Sequence, residues 1–326
     1  MTGEDRLIAW LRKQTQERGN DLLGDDAAVL AATAPVVTVD QQIAGTHFPE
    51  DLAPAVVARR LLAVCLSDLA AMGAEPRYAF LALTLPQGLE PRPFFVALLA
   101  ACDRFGVALA GGDLARGPVL AAALTLCGRR PALGRIVCRS GALPGDSIWL
   151  GGTVGESAAG RRLVARGARL VGRGVRLPAG LQAAPATRRA ARRAVRRHLE
   201  PRPQLELGRW LAGRRRAAAI DLSDGLAIDL HRLCRASGVG AGIDAARLPL
   251  PPDLDRLAAQ VDRPPLRLAL AGGEDYVLLF TLPPSGRPPA RFAARRIGEI
   301  VAGRRLTLRE NSRRRRLPAA GWDHLG

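Results

Sequence analysis

The sequence predicts an α/β protein with mixed sheets, divided into two domains. Three observations predict it. Extended, β-branched patterns alternate with helical ones through the first half of the chain. The same alternation resumes after RRPALGRIVCRSGALPGD, where Pro and Gly interrupt the periodicity. Finally, 326 residues at 48% hydrophobic content suffice for two cores. The boundary is placed near residues 130–142, which divides the chain into 1–137 and 138–326.

The elements follow in order. Residues 4–18 have Leu7, Ile8 and Leu11 on one helical face and lead into the turn GDD, Gly24 to Asp26. PVVTVDQQIAGTHF predicts a strand ending at Asp40 or just beyond. Pro54 to Ala74 predicts a long helix, with Pro at its start and Gly73 near its end. RYAFLALTLP is a strand, PRPFFVALLAACDRFG a helix, VALAGGD a short buried strand, and VLAAALTLCGRR another strand. PGD then turns the chain into the strand SIWLGG, and GTVGESAAGRRLVARG is a glycine-rich turn entering a helix. ATRRAARRAVRRH has arginines on several helical faces and suits a solvated helix. AAAIDL is a buried strand, SDG a turn, and LAIDLHRLCRAS a helix. GVGAGID, YVLLFTLP and RRIGEIVAG complete the strands.

Composition narrows the function. The formal charge is +18, and Lys13 is the only lysine, so the excess is arginine spread along the chain. Aromatic residues, the stacking platforms of nucleic-acid binders, make up 4%, which disfavours that reading. The five cysteines form no CxxC pair and sit mostly in apolar strings, so neither zinc nor a disulfide framework is indicated. The N-terminal MTGEDRLIAWLRKQ is charged where a signal peptide would be apolar. A cytoplasmic protein without a membrane segment is expected.

The acids show a repeated device in which a short apolar strand runs into Asp at a turn, often beside Gly or Ser. It occurs at Asp25 and Asp26, Asp40, Asp68, Asp113, Asp221 and Asp224, and Asp275. Any one alone would serve equally as a helix cap or turn residue. Together, without His or Cys at ligand spacing, they suit a hard cation such as Mg²⁺ shared with substrate phosphates. GGD at Gly111 and GGED at Gly272 let backbone approach a ligand closely, but no GxxxxGK[ST] is present, which excludes a Walker-type ATP site.

GDDAAVL, VDQQIAGTHF, AVCLSDLAAMGAEP, GGDLARGP, RSGALPGDSIWLGGTVGESAAG, HLEPRP, IDLSDGLAIDL, GGEDYVLLF and GWDHL, in this order, closely resemble the thiamine-monophosphate kinases. These belong to a superfamily with aminoimidazole ribonucleotide synthetase and selenophosphate synthetase. The resemblance implies that superfamily's two-domain fold and a homodimer joined through its N-terminal sheets, with the active site in a cleft near that interface. It also implies Mg²⁺-dependent transfer of the γ-phosphoryl group of ATP onto the phosphate of thiamine monophosphate.

Carried over, metal ligation falls on Asp26, Asp40, Asp68, Asp113 and Asp221, with Asp224 a further ligand. Thr38 and Val39 precede Asp40: Thr38 matches a position that helps hold one ion, and Val39 would contact metal through its carbonyl only, since the family commonly has a threonine there. Nucleotide contacts fall on Phe105, Gly112, Asp113, Arg139 and Ser223, and substrate contacts on His47, Glu274 and Trp322. No side-chain general base is needed, because the acceptor phosphate is largely ionised at neutral pH; positioning and charge neutralisation carry the catalysis. Leu114 and Ala115 replace two threonines, Gln204 an arginine and Glu156 an aspartate, all of which bear on affinity more than on reaction type. A superfamily relative with another small phosphorylated acceptor, or a catalytically silent nucleotide-binding protein, is the alternative. His198, His231 and His324 are expected to be structural.

Overall fold

The computed structural model describes residues 36–132, 134–179, 181 and 183–323, with positions 9, 13, 16, 28 and 29. The expected helix over 4–18 and the GDD turn, with Asp25 and Asp26, lie outside the described residues, as does His324.

Strands β1 (Ala28–Val29), β2 (Val36–Ile43), β3 (Glu75–Leu85), β4 (Ala108–Arg116) and β5 (Ala121–Arg129) form a sheet in the order β1-β2-β5-β3-β4. Only β3 and β4 run parallel within it. Helices α1 (Pro54–Ala71) and α2 (Arg92–Phe105) cover one face. Strand alternation sorts the residues accordingly: Leu81, Leu83, Leu124 and Leu126 point into that core, while Val39, Tyr78 and Phe80 point outward and are exposed. One expectation needs correction. The GGD strand is neither short nor buried: β4 runs for nine residues along the sheet edge and is mostly exposed.

The second sheet has the order β14-β13-β10-β12-β6-β11-β9. Its strands are β6 (Ser147–Leu150), β9 (Ala219–Asp221), β10 (Gly240–Asp244), β11 (Leu278–Leu282), β12 (Arg295–Val301), β13 (Leu306–Glu310) and β14 (Arg313–Arg316). A separate ribbon pairs β7 (Arg169–Val171) with β8 (Gly174–Arg176).

Every residue of β6 and β11 is buried, as expected where both faces are covered. On one face Ile148, Leu150 and Leu279 meet Leu226, Leu230 and Leu233 of helix α6 (Leu226–Ser237). On the other, Trp149, Leu278 and Phe280 meet Leu207 and Leu211 of helix α5 (Leu205–Ala212), together with Ala70 and Ala71 at the end of α1. Helix α1 therefore belongs to both interiors. The site forms along it.

The arginine-rich helix α4 (Pro185–Leu199) also departs from expectation. Its arginines do not surround it, because Ala190, Ala191, Ala194, Val195, His198 and Leu199 are buried against α3 (Glu156–Ala165) and α7 (Leu254–Val261). Small alanines between arginine pairs make one narrow packing stripe.

Candidate active site

One wall of a cleft of about 280 Å³ is acidic. Alternation on β2 turns Thr38, Asp40 and Gln42 toward the same side, beneath α1. Thr38 Oγ1 donates to Asp68 Oδ2 at 2.6 Å. Next along α1, Ser67 Oγ donates to Asp221 Oδ2, also at 2.6 Å, so the helix carries one carboxylate held by the first sheet and holds another that belongs to the second. Their negative field is felt nearby. Burial first, then Asp40 and Asp68, push the Cys65 thiol well up; burial, and more weakly Asp40 and Asp221, do the same to the Tyr276 phenol.

The other wall is a strained loop. Gly273, Glu274 and Tyr276 have φ of 70°, 59° and 48°, a run of left-handed backbone that favours glycine and costs the other two energy. A Cβ on Gly273 would stand 2.8 Å from the Ser223 carbonyl oxygen. The loop is held by Glu274 N donating to Ser223 O at 2.6 Å and Tyr276 N to Leu222 O at 2.9 Å. Trp322 N donates to Asp224 O at 3.0 Å, so the SDG turn positions both recognition elements. In the same loop Asp275 is buried and accepts from Gly155 N, and burial pushes its carboxyl up to about 7.

Behind Glu274 lies Arg60, wholly buried, donating to Gln42 Oε1 at 3.2 Å, to the His198 carbonyl oxygen and to Glu274 Oε1. Burial alone would raise the Glu274 carboxyl, but the Arg60 guanidinium and then His198 overcome it and hold Glu274 ionised, well below the carboxylate range. His198 Nδ1 stands 3.2 Å from Glu274 Oε2, too poorly aligned for a hydrogen bond. Burial depresses its own basicity against the pull of Glu274.

Nine residues expected in the site line this one cleft: Val39, Asp40, His47, Asp68, Asp221, Ser223, Asp224, Glu274 and Trp322. Thr38 stands just behind, bound to Asp68. His47 Nδ1 accepts from Ile43 N at 3.1 Å, and Asp224 is ion-paired with Arg232.

The rest lie apart within the chain. Register aligns Asp40 with Leu124, Leu81 and Gly112 across the sheet, so Gly112 is three strands, or about 14 Å, from Asp40. Asp113 is one residue further and faces the open side of the sheet, opposite to Asp40. Phe105 ends α2 under Arg104, in a separate hollow with Gln204 and Phe292. Arg139 sits beside α6, where its charge bears on Asp229 and its carbonyl accepts from Ser237 Oγ at 3.0 Å. Asp26 lies outside the described residues.

Sequence reasoning missed Arg60, Arg161 and the proximity of His198. Arg60 carried a readable signal, since an arginine pair inside AVVARRLLAV cannot keep both members off the buried face of a helix. Arg161 and His198 carried none, because their roles depend on contacts far along the chain. The Gln204 departure also has a structural use: its amide donates to Gly151 O at 2.6 Å and accepts from Leu278 N at 2.8 Å, extending the β6–β11 ladder.

The donor set of the acidic wall is all oxygen, which suits Mg²⁺. Among the described residues no three acidic, His or Cys groups make a ready-made metal cage.

Residues 24–129 match the family described as AIR synthase related protein, N-terminal domain. The chain is 42% identical over 305 residues to the thiamine-monophosphate kinase of Salmonella typhimurium, covering 91% of this chain and 87% of that protein. The solved structure of AaThiL complexed with AMPPCP and TMP superposes with a TM-score of 0.84 at 28% identity, covering 99% of this chain and 97% of that one. The thiamine monophosphate kinase of Aquifex aeolicus gives 0.80 at 28%, covering 94% and 96%. With this fold, this cleft and these relatives, the chain belongs to the thiamine-monophosphate kinase family.

Proposed function

We propose that the chain transfers the γ-phosphoryl group of ATP to the phosphate of thiamine monophosphate, giving thiamine diphosphate and ADP, with the acidic wall as the phosphoryl-transfer side and the strained loop as the ring-binding side. The observation that carries this reading is that Asp40, Asp68 and Asp221 face the same cleft as Glu274 and Trp322. Asp40, Asp68 and Asp221, with Asp26, Asp224 and the Val39 carbonyl, are the residues that would hold Mg²⁺. When bound, the metal offsets the repulsion between two phosphorylated reactants, which is severe in a low-dielectric cleft. Glu274, kept ionised by Arg60, accepts from the amino group of the pyrimidine, and Trp322 offers its face to a cationic ring.

The reading includes a cytoplasmic homodimer. The open face of the first sheet, with Val39, Tyr78 and Phe80 exposed, supports a second copy packing there. Asp113 and Gly112 lie on that face or its edge, so a partner's β4 would deliver nucleotide contacts that the chain's own cleft lacks. Free cysteines fit a reducing compartment, and no helix of the described residues is long and apolar enough to cross a membrane.

The test is to incubate the purified protein with Mg-ATP and thiamine monophosphate and to follow thiamine diphosphate and ADP together. ADP without thiamine diphosphate would redirect the acceptor assignment. Sedimentation of wild type and Phe80→Glu checks the dimer; wild type is expected to be dimeric and the variant monomeric and inactive.

A further inference from the structure

Arg161, half-exposed on α3, occupies an unexpected place. Its guanidinium carbon lies 5.3 Å from the centre of the Trp322 ring, and its Nε lies 3.7 Å from Glu274 Oε2. Those are the two groups that the proposed function gives to the substrate's ring system. A guanidinium is planar, cationic and rich in N–H donors. It thus presents to Trp322 and Glu274 the same combination of flat face, positive charge and donor that an aminopyrimidine joined to a thiazolium would present. Two cations cannot share that space.

The hold on Arg161 is loose. Its Nε and Glu274 Oε2 are both buried without a hydrogen-bond partner, so the contact is electrostatic and not a fitted fork. There is also room to move. Arg161 lines both the cleft and a neighbouring cavity of about 760 Å³, so one rotation of its side chain carries the charge from one to the other. That cavity is bordered by Arg162, Arg263, Arg267 and Arg315, with Glu310 the one acid among the described residues lining it. The crowding bears on Arg162, whose pKa is lowered by burial and then by Arg263, Arg161, Arg166 and Arg267. Repulsion from this cluster biases Arg161 toward Glu274 when the cleft is empty.

We propose that Arg161 is a built-in competitor for the ring-binding seat between Trp322 and Glu274, and that the substrate's cationic ring displaces it into the adjacent arginine-lined cavity. This rests on the reading of Trp322 and Glu274 as ring contacts. Arg161 then sets the threshold for substrate capture and discriminates against weakly stacking ligands, which cannot evict it.

The experiment is steady-state kinetics of the full-length protein with Arg161→Ala and Arg161→Gln. Removing the competitor lowers KM for thiamine monophosphate by on the order of tenfold, the sum of a half-exposed cation–π contact and a loosely held ion pair. KM for ATP stays where it is, which a general loss of structure would not produce. A KM for thiamine monophosphate that rises, or does not move, in both variants overturns the proposal; a rise would make Arg161 a substrate clamp. Trp322→Ala and Glu274→Gln separate the two levels. If both raise KM while the Arg161 variants fail to lower it, this inference alone falls. If neither affects KM, the ring-contact reading falls and the competitor with it.

Discussion

The two walls of the cleft are built differently. The acidic wall stands on regular elements: β2 alternation aims Thr38 and Asp40, consecutive positions on α1 supply Ser67 and Asp68, and Asp221 ends a strand. The recognition wall is irregular, made of left-handed residues at Gly273, Glu274 and Tyr276, a tryptophan whose backbone N–H donates to Asp224 O, and a buried arginine reaching across from α1. Charge-handling groups must stay fixed while charge moves, which favours placement on helix and strand. Recognition needs an unusual backbone path, and the strain there is offset by hydrogen bonds to the SDG turn.

The comparison can be broken most severely at the acidic wall. Asp40→Asn or Asp68→Asn is expected to reduce turnover by orders of magnitude with an unchanged circular-dichroism spectrum. Near-normal turnover would remove that residue from the phosphoryl-transfer side.

Next comes the buried pair behind the loop. Arg60→Ala leaves the Glu274 carboxylate without its main counter-charge, so a loss of about 3–5 kcal/mol in chemical denaturation is expected. Arg60→Ala combined with Glu274→Gln should recover part of it. No recovery would mean that Arg60 acts through packing alone.

The smallest effect concerns pH. Asp275 is raised from 3.8 to about 7 by burial, against bonds from Gly155 that favour the charge. The folded state therefore holds this proton more tightly than the unfolded state. Asp275 thus costs stability as pH rises from about 4 to 7, and no more above that. Melting temperatures of Asp275→Asn minus wild type should increase over that interval and level off beyond it. A difference independent of pH would show that Asp275 is ionised throughout.

Much of this was legible in the sequence. Hydrophobic alternation located β2, α1, β3 and α2 closely; of the acids expected at turns, Asp221 does end a strand, but Asp40 and Asp113 stand within strands and Asp68 within α1. The burial of β4 was misread because ALAGGD is apolar enough for a core, whereas the structure puts it at an open edge. The amphipathic nature of α4 was hidden because alanine packs as well as leucine where helices approach closely. Arg161 and His198 were invisible for a different reason: a side chain's partner 76 to 113 residues away cannot be read from local pattern, as in the contacts of both with Glu274.

Gly208 has a consequence for how the enzyme can work. A Cβ there would lie 1.9 Å from the Ala70 carbonyl oxygen, so α5 rests directly on the backbone of α1, while Gln204 at its start stitches into the second sheet. The halves are thereby braced two residues beyond Asp68, and the Ser67–Asp221 bond adds a second brace. A molecule tied together in this way cannot clamp its substrates by swinging one lobe onto the other. On the Arg161 proposal, capture falls instead to a side chain at the mouth, whose rotation is fast.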